Sequence, residues 1–316
     1  MRIAFCGKGG SGKTTLSSNF AGWLASNGRN VLAIDADLNQ HMGPALGLSK
    51  QEIASMPEMG TEQEFLQNHV RGDNPLIASN QELVKTSPPY KGSGMIRLNP
   101  GNPVLHHYAL RKDNLQFIRV GEFTEEDIGT SCYHAKTGAV ELFLNYMLDA
   151  PEEMIVVDMT AGADSFASGL FTRFDLTILA VEPTLRALSV VEQYKNYAKQ
   201  HDICLKVVGN KIEDKEDISF LKDHLGDDLF AIFPASKTIR GRDKGKSYKF
   251  NELEPENINC LKEILDFAQK QNRDWDRYWA QAVAMHEKNA LSWANTMTGV
   301  DLRQQIKWDF LKKISA

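Results

Sequence analysis

The segment Gly7-Lys8-Gly9-Gly10-Ser11-Gly12-Lys13-Thr14-Thr15 constrains this 316-residue chain more than any other. It follows the short apolar run Ile3 to Cys6 and precedes Leu16, Phe20, Trp23 and Leu24 at helical spacing, so strand, turn and helix meet within the first 24 residues. The pattern satisfies G-x-x-x-x-G-K-[ST] in the context that motif needs. Gly9, Gly10, Ser11 and Gly12 let the backbone wrap a polyphosphate, turning successive N–H groups and the following helix N-terminus toward anionic oxygens. Lys13 supplies a point charge to the β- and γ-phosphates. Thr14 offers a hydroxyl to Mg²⁺, and Thr15 reaches the α-phosphate.

Val31 to Ile34 returns the chain as a second strand, closing a βαβ unit. Further short apolar runs, Gln116 to Val120, Met154 to Val157, Leu176 to Val181, Leu205 to Val208 and Leu229 to Phe233, alternate with helical stretches. That alternation predicts an α/β, doubly wound, mostly parallel sheet with helices on both faces, a P-loop NTPase architecture. Residues 49–113 break the rhythm with Pro57, Pro75, Pro88, Pro89, Pro100 and Pro103, and read as an irregular insertion, either a surface excursion or a partner-binding lid. After Gln271 the tryptophans and tyrosines crowd, which predicts a helical C-terminal extension over 273–316 on an ATPase domain over 1–272. No apolar run is long enough to span a bilayer, and Arg2 to Gly7 reads as a strand, not a leader; a cytoplasmic, unprocessed protein is expected. Cys6, Cys132, Cys204 and Cys260 lack paired spacing, which argues against a disulfide framework. The net charge of −5 argues against a uniformly basic nucleic-acid surface.

With Lys8 included, the loop K-G-G-x-G-K-T resembles the deviant Walker A loop of the superfamily that holds MinD, ParA, the nitrogenase iron protein and metal-insertion ATPases. The resemblance covers Met1 to about Gln271. It implies an ATP-binding, Mg²⁺-dependent ATPase that dimerises around nucleotide, with Lys8 reaching a partner's phosphates; the alternative is an exposed loop lysine. Asp35-Ala36-Asp37 would be switch I, Asp37 orienting the attacking water with Asp35 nearer the metal or structural, unless both only cap helices. Met154 to Asp158, followed by Met159-Thr160-Ala161-Gly162, resembles Walker B and switch II. Asp158 would hold Mg²⁺ through water and Gly162 would give an N–H to the γ-phosphate. Asn210, and Pro234 at the next strand end, would form the base pocket, unless Asn210 only shapes its loop. Glu213 stands where guanine-specific N-K-x-D loops carry Asp, so ATP is favoured over GTP.

The segments Asp158 to Gly162 and Val181-Glu182-Pro183-Thr184 look most like those of the carbon monoxide dehydrogenase nickel-insertion branch, which implies a maturation or metal-insertion factor acting on a client protein. That branch carries C-x-C where this chain has Cys132-Tyr133-His134. Cys132 and His134 from two subunits would suit Zn²⁺ or Ni²⁺, or remain unliganded. The alternative is a ParA- or MinD-type positioning ATPase binding DNA, a membrane or an effector. Its nucleic-acid arm rests on Lys237, Arg240, Arg242, Lys244, Lys246 and Lys249, which a solvated loop also explains. Leu302, Ile306, Phe310 and Ile314 make a stripe that Leu311 leaves, a weak basis for membrane binding. A redox carrier would need two cluster-ligating cysteines per subunit, and only Cys132 is placed for that.

Overall fold

A computed structural model describes residues 1–99, 101–125, 133–166 and 168–314. Among these, eight strands form one sheet in the order β3-β4-β2-β5-β1-β6-β7-β8. The strands are β1 (Arg2–Gly7), β2 (Val31–Asp35), β3 (Leu110–Lys112), β4 (Leu115–Arg119), β5 (Met154–Asp158), β6 (Leu176–Val181), β7 (Leu205–Ile212) and β8 (Leu229–Pro234). Every neighbouring pair is parallel except β3 with β4. The α/β expectation holds. The glycine-rich loop leaves β1 between β5 and β6 and opens helix α1 (Lys13–Ser26), so it lies at the carboxyl edge of the sheet, where open α/β sheets bind ligands.

Side-chain alternation sorts β1 between two cores. Ala4 and Cys6 face one cluster, while Ile3 and Phe5 face the other together with Leu16, Phe20 and Leu24 of α1. Residues 49–113 are not a surface excursion: Met59, Leu66, Val70, Ile96, Val104, Leu105 and Tyr108 are buried in the first cluster. Their helices, Gln63–Arg71 and Pro103–Tyr108, are too short to show sustained periodicity. β3, which falls in the same stretch, was not expected and is an antiparallel edge strand of three residues.

The tail is helical, beginning with Trp275–Asn289. The apolar stripe from Leu302 to Ile314 is not one helix face, because Leu302–Gln305 is a 3-10 turn and a new helix begins at Trp308. Leu302 packs with Val84 and Ala290, whereas Leu311 is buried against Tyr278 and Trp279. No described helix is long and apolar enough to cross a membrane. Cys6, Cys204 and Cys260 are free thiols.

A buried ionic network fastens the start of the tail to the amino edge of the sheet. Arg273 donates through Nη1 to Asp149 Oδ1 at 2.8 Å and through Nε to Asp175 Oδ1 at 2.7 Å. Arg2 donates to the same Asp149 oxygen through Nε at 2.9 Å, and its backbone N–H reaches Asp175 Oδ2 at 2.7 Å. Burial alone would raise Asp149, but Arg2 and Arg273 outweigh it and hold the carboxyl well below the usual range; Arg273 does the same for Asp175.

Because both folded-state values are depressed, the stabilisation is fully present above the unfolded value of about 4 and is lost as pH falls through the folded ones. Arg273→Met should therefore cost about 3–5 kcal/mol at neutral pH, the usual penalty for orphaning buried charge. Denaturant titration should show the deficit shrinking toward pH 3. A deficit constant with pH would instead assign the loss to guanidinium packing on the Trp275 ring, 4.7 Å away.

Candidate nucleotide site

Helix α1 starts without a side-chain cap: Gly12 at its N-cap has φ +83°, and no acidic residue lies in the first turn. Its leading N–H groups and positive dipole end are thus left to an external anion. Gly12 is required twice over. The left-handed φ disfavours any side chain, and a Cβ there would lie 2.2 Å from Asn210 Nδ2.

Two adjacent strand ends, those of β2 and β5, bring three carboxylates to this helix. Asp35 and Asp158 are partners in the β2–β5 register, and the Asp158 backbone is stitched to both neighbours, its carbonyl accepting from Ala36 N–H at 2.9 Å while Met159 N–H donates to Phe5 O at 2.9 Å. Asp35 is structural: its carboxylate accepts from the Met42 N–H at 2.8 Å and the Asp37 N–H at 3.2 Å, folding the turn after β2. Asp37 projects from that turn. Its Oδ2 accepts from Lys13 Nζ, and its Oδ1 is held by the backbone and side-chain N–H groups of Asn39 at 2.9 and 3.0 Å. Thr14 donates its hydroxyl to Asp158 Oδ2 at 2.6 Å.

One lysine thus faces three buried acids. Burial opposes the Lys13 ammonium, but Asp158 and Asp37 outweigh it and raise its pKa. Burial, countered by Lys13 and Thr14, pushes Asp158 up to about 6, and burial beside Asp158 pushes Asp35 well above the carboxylate range. Asp158 Oδ1 is buried without a hydrogen bond among the described residues, with Lys13 Nζ 3.8 Å away. A threonine hydroxyl beside a carboxylate with a spare oxygen, in a pocket whose acids outnumber its bases, is a donor set that fits a hard divalent cation such as Mg²⁺.

The opposite wall of the loop is held by β7. Asn210 Nδ2 donates to Ser11 O at 2.7 Å and Lys211 Nζ donates to Gly10 O at 2.6 Å. Asn210, expected to read a base, is therefore also a loop anchor. Lys211 carried no expectation beyond its place beside Asn210. Pro234 ends β8 in register with Ile212, and its carbonyl accepts from Asn257 Nδ2 at 2.8 Å. Gly162 opens a 3-10 segment at φ +71°, its carbonyl accepting from Tyr194 OH at 2.6 Å. Lys8 lies apart from the acids and reaches Arg186 O at 3.4 Å. Thr15 is half-buried in the first turn of α1, and Gly9 and Gly10 are exposed.

Cys132 and the His134 side chain lie outside the described residues. Among the described residues no group of three or more His, Cys, Asp or Glu could hold a metal ion. The basic run is partly committed to structure, since Arg242 Nη1 donates to Ala45 O at 2.6 Å.

A parallel sheet with a glycine-rich loop at its carboxyl edge, an uncapped helix behind it and an acid-rimmed lysine inside defines a P-loop nucleotide-binding protein. The chain belongs to the CobQ/CobB/MinD/ParA nucleotide-binding domain family, whose pattern matches residues 3–271. It is similar to the carbon monoxide dehydrogenase accessory protein CooC of Rhodospirillum rubrum, 25% identical over 249 residues that cover 77% of this chain and 87% of that protein. An uncharacterized ATP-binding protein of Methanocaldococcus jannaschii is 27% identical over 244 residues, 76% of this chain and 87% of its own. In fold it resembles a Borrelia burgdorferi putative plasmid partition protein bound to AMPPNP (TM-score 0.56, 14% identity, 84% of this chain and 96% of that one). A chain of the Aquifex aeolicus MinC:MinD cell division complex is also similar (TM-score 0.53, 17% identity, 86% and 96%).

Gly12→Ala should press a methyl into the Asn210 amide and displace the loop by a few tenths of an ångström or more. Nucleotide affinity should fall more than about a hundredfold, as misplaced binding groups do, while the thermal midpoint drops only a few degrees. Retained affinity in a calorimetric titration would contradict this reading of the loop.

Proposed function

We propose that the chain is a Mg²⁺-dependent ATPase working as a nucleotide-driven homodimer switch, in the service of maturation of, or metal insertion into, a client protein. The observation that carries the ATPase reading is the shared contact of Lys13 with Asp37 and Asp158, with Thr14 bonded to the latter. The likeness to CooC supports the maturation role.

In this reading the triphosphate enters along the N–H groups of Gly9 to Thr15, and its β- and γ-oxygens compete with Asp37 for Lys13. Losing that partner frees Asp37 Oδ2 while Asn39 still fixes Oδ1, so the carboxylate faces a water at the γ-phosphate in a set orientation. The water oxygen attacks the γ-phosphorus, one of its protons passing to the Asp37 carboxylate, and the bond to the β,γ-bridging oxygen breaks, its electron pair leaving with ADP. Bound Mg²⁺, held by Thr14 and, through water, by Asp158, would offset charge on the phosphates. Gly162 N–H would sense the γ-phosphate, Asn210 Oδ1 is the atom left to accept from the adenine amino group, and Pro234 backs that pocket. Lys8, outside the acid cluster and held among the described residues only by a long bond to Arg186 O, would neutralise phosphates of a second copy.

Asp37→Asn should keep ATP affinity within about threefold and lower turnover about a hundredfold, the usual worth of a positioned proton acceptor. Lys8→Ala should bind ATP as a monomer and fail to dimerise with a non-hydrolysable analogue, read by light scattering. Full turnover in the first, or an intact dimer in the second, removes the respective role. GTP should compete poorly for labelled ATP.

A further inference from the structure

Beyond the acids, the loop is clamped from outside by two consecutive residues of β7, and the second of them is held in a costly backbone state. The geometry points to Lys211, backed by Glu182, as a positioning residue that fixes the Gly10 peptide of the phosphate loop for nucleotide binding. The inference rests on the ATP-binding reading above and names how this chain sets the affinity of that site.

Consider the peptide planes. In a trans peptide the carbonyl and the following N–H point in opposite directions, so gripping one aims the other. Lys211 grips Gly10 O from outside at 2.6 Å, and the Ser11 N–H on that plane turns back to Lys8 O at 3.0 Å, closing the turn. Asn210 grips Ser11 O at 2.7 Å, which sends the Gly12 N–H the other way. Two side-chain donors thus set two successive planes of a loop made mostly of glycine, which would otherwise sample many orientations.

The chain accepts strain to place this donor. Lys211 has φ +60°, in the left-handed region that costs a non-glycine residue about 1–2 kcal/mol, and the β7–β8 register slips between Asn210 and Ile212. Its ammonium is shared with Glu182 Oε1 at 2.5 Å, from the turn after β6. That ion pair is half-exposed, with the Lys211 side chain 53% accessible, so it adds little to stability. What it does is hold the ammonium over Gly10. Lys8 reaches Arg186 O in the first turn of the helix that follows, so both lysines outside the acid cluster connect the phosphate loop to residues 182–186.

The test measures ATP affinity with a fluorescent analogue, steady-state turnover and thermal midpoint for the full chain and four variants. Lys211→Met should weaken binding about tenfold, the lower end for losing a charged donor, while kcat at saturating ATP stays within about threefold, because the clamp serves ground and transition states alike. Lys211→Arg should restore most of the affinity. Lys211→Gly relieves the backbone strain, so its midpoint should equal or exceed wild type while its affinity falls as in Lys211→Met. The nearby exposed Glu216→Gln should match wild type throughout. Wild-type affinity in both Lys211→Met and Lys211→Gly, or a loss in Lys211→Met that Arg does not rescue, overturns the inference. If the unaltered chain binds no ATP, the proposed function fails instead.

Discussion

Lys13 is the point on which the site turns, because among the described residues it is the single cation between three carboxylates that the sheet forces together. The parallel register sets Asp35 beside Asp158, the turn after β2 brings Asp37 to the same place, and α1 delivers the ammonium from the loop. Asp35 is pushed up by burial and by Asp158, and Asp158 by burial and by Asp37. Such an arrangement is unfavourable as a folded core and useful as a site. It is relieved by whatever adds positive charge or redistributes Lys13, and a metal nucleotide does both.

The amino edge of the same sheet shows the opposite solution with similar residue types. There Asp149 and Asp175 meet Arg2 and Arg273 in near-planar, multiply bonded contacts, and both carboxyls are held down. Each edge is buried, so burial does not separate them; the ratio of cations to anions does. One edge is saturated and fastens the C-terminal extension, whereas the other is left short of positive charge. The strands between them are apolar and fully covered on both faces, which keeps the two electrostatic problems apart.

Much of this was legible in the residues. The loop motif located the site because its chemistry is local: glycine, lysine and threonine act within nine consecutive positions. Strands such as Met154–Asp158 were legible because both faces are buried and the run is uniformly apolar. What escaped were features decided by distant partners. The short helices of 49–113 have no period to read, and their burial comes from scattered side chains packing on the sheet. Arg273 meets acids 98 and 124 positions away, and nothing in its neighbourhood announces that. Leu311 leaves the stripe of Leu302, Ile306, Phe310 and Ile314, but that a 3-10 turn and a new helix reset the phase there could not be read from spacing.

Asn210 shows how contacts far along the chain decide what a strand-end side chain does. A strand-end asparagine suggests recognition of a base, and its Oδ1 stays available for that. Its Nδ2 is already spent on Ser11 O, close enough that Gly12 cannot carry a side chain. If Asn210 reads a base as proposed, the base and the phosphate loop share one amide. Any shift of Asn210 toward a base must be transmitted to the Ser11–Gly12 peptide and so to the first N–H groups of α1. In the proposed reading, base and phosphate recognition would be mechanically one event, coupled by the short distance from β7 to the loop.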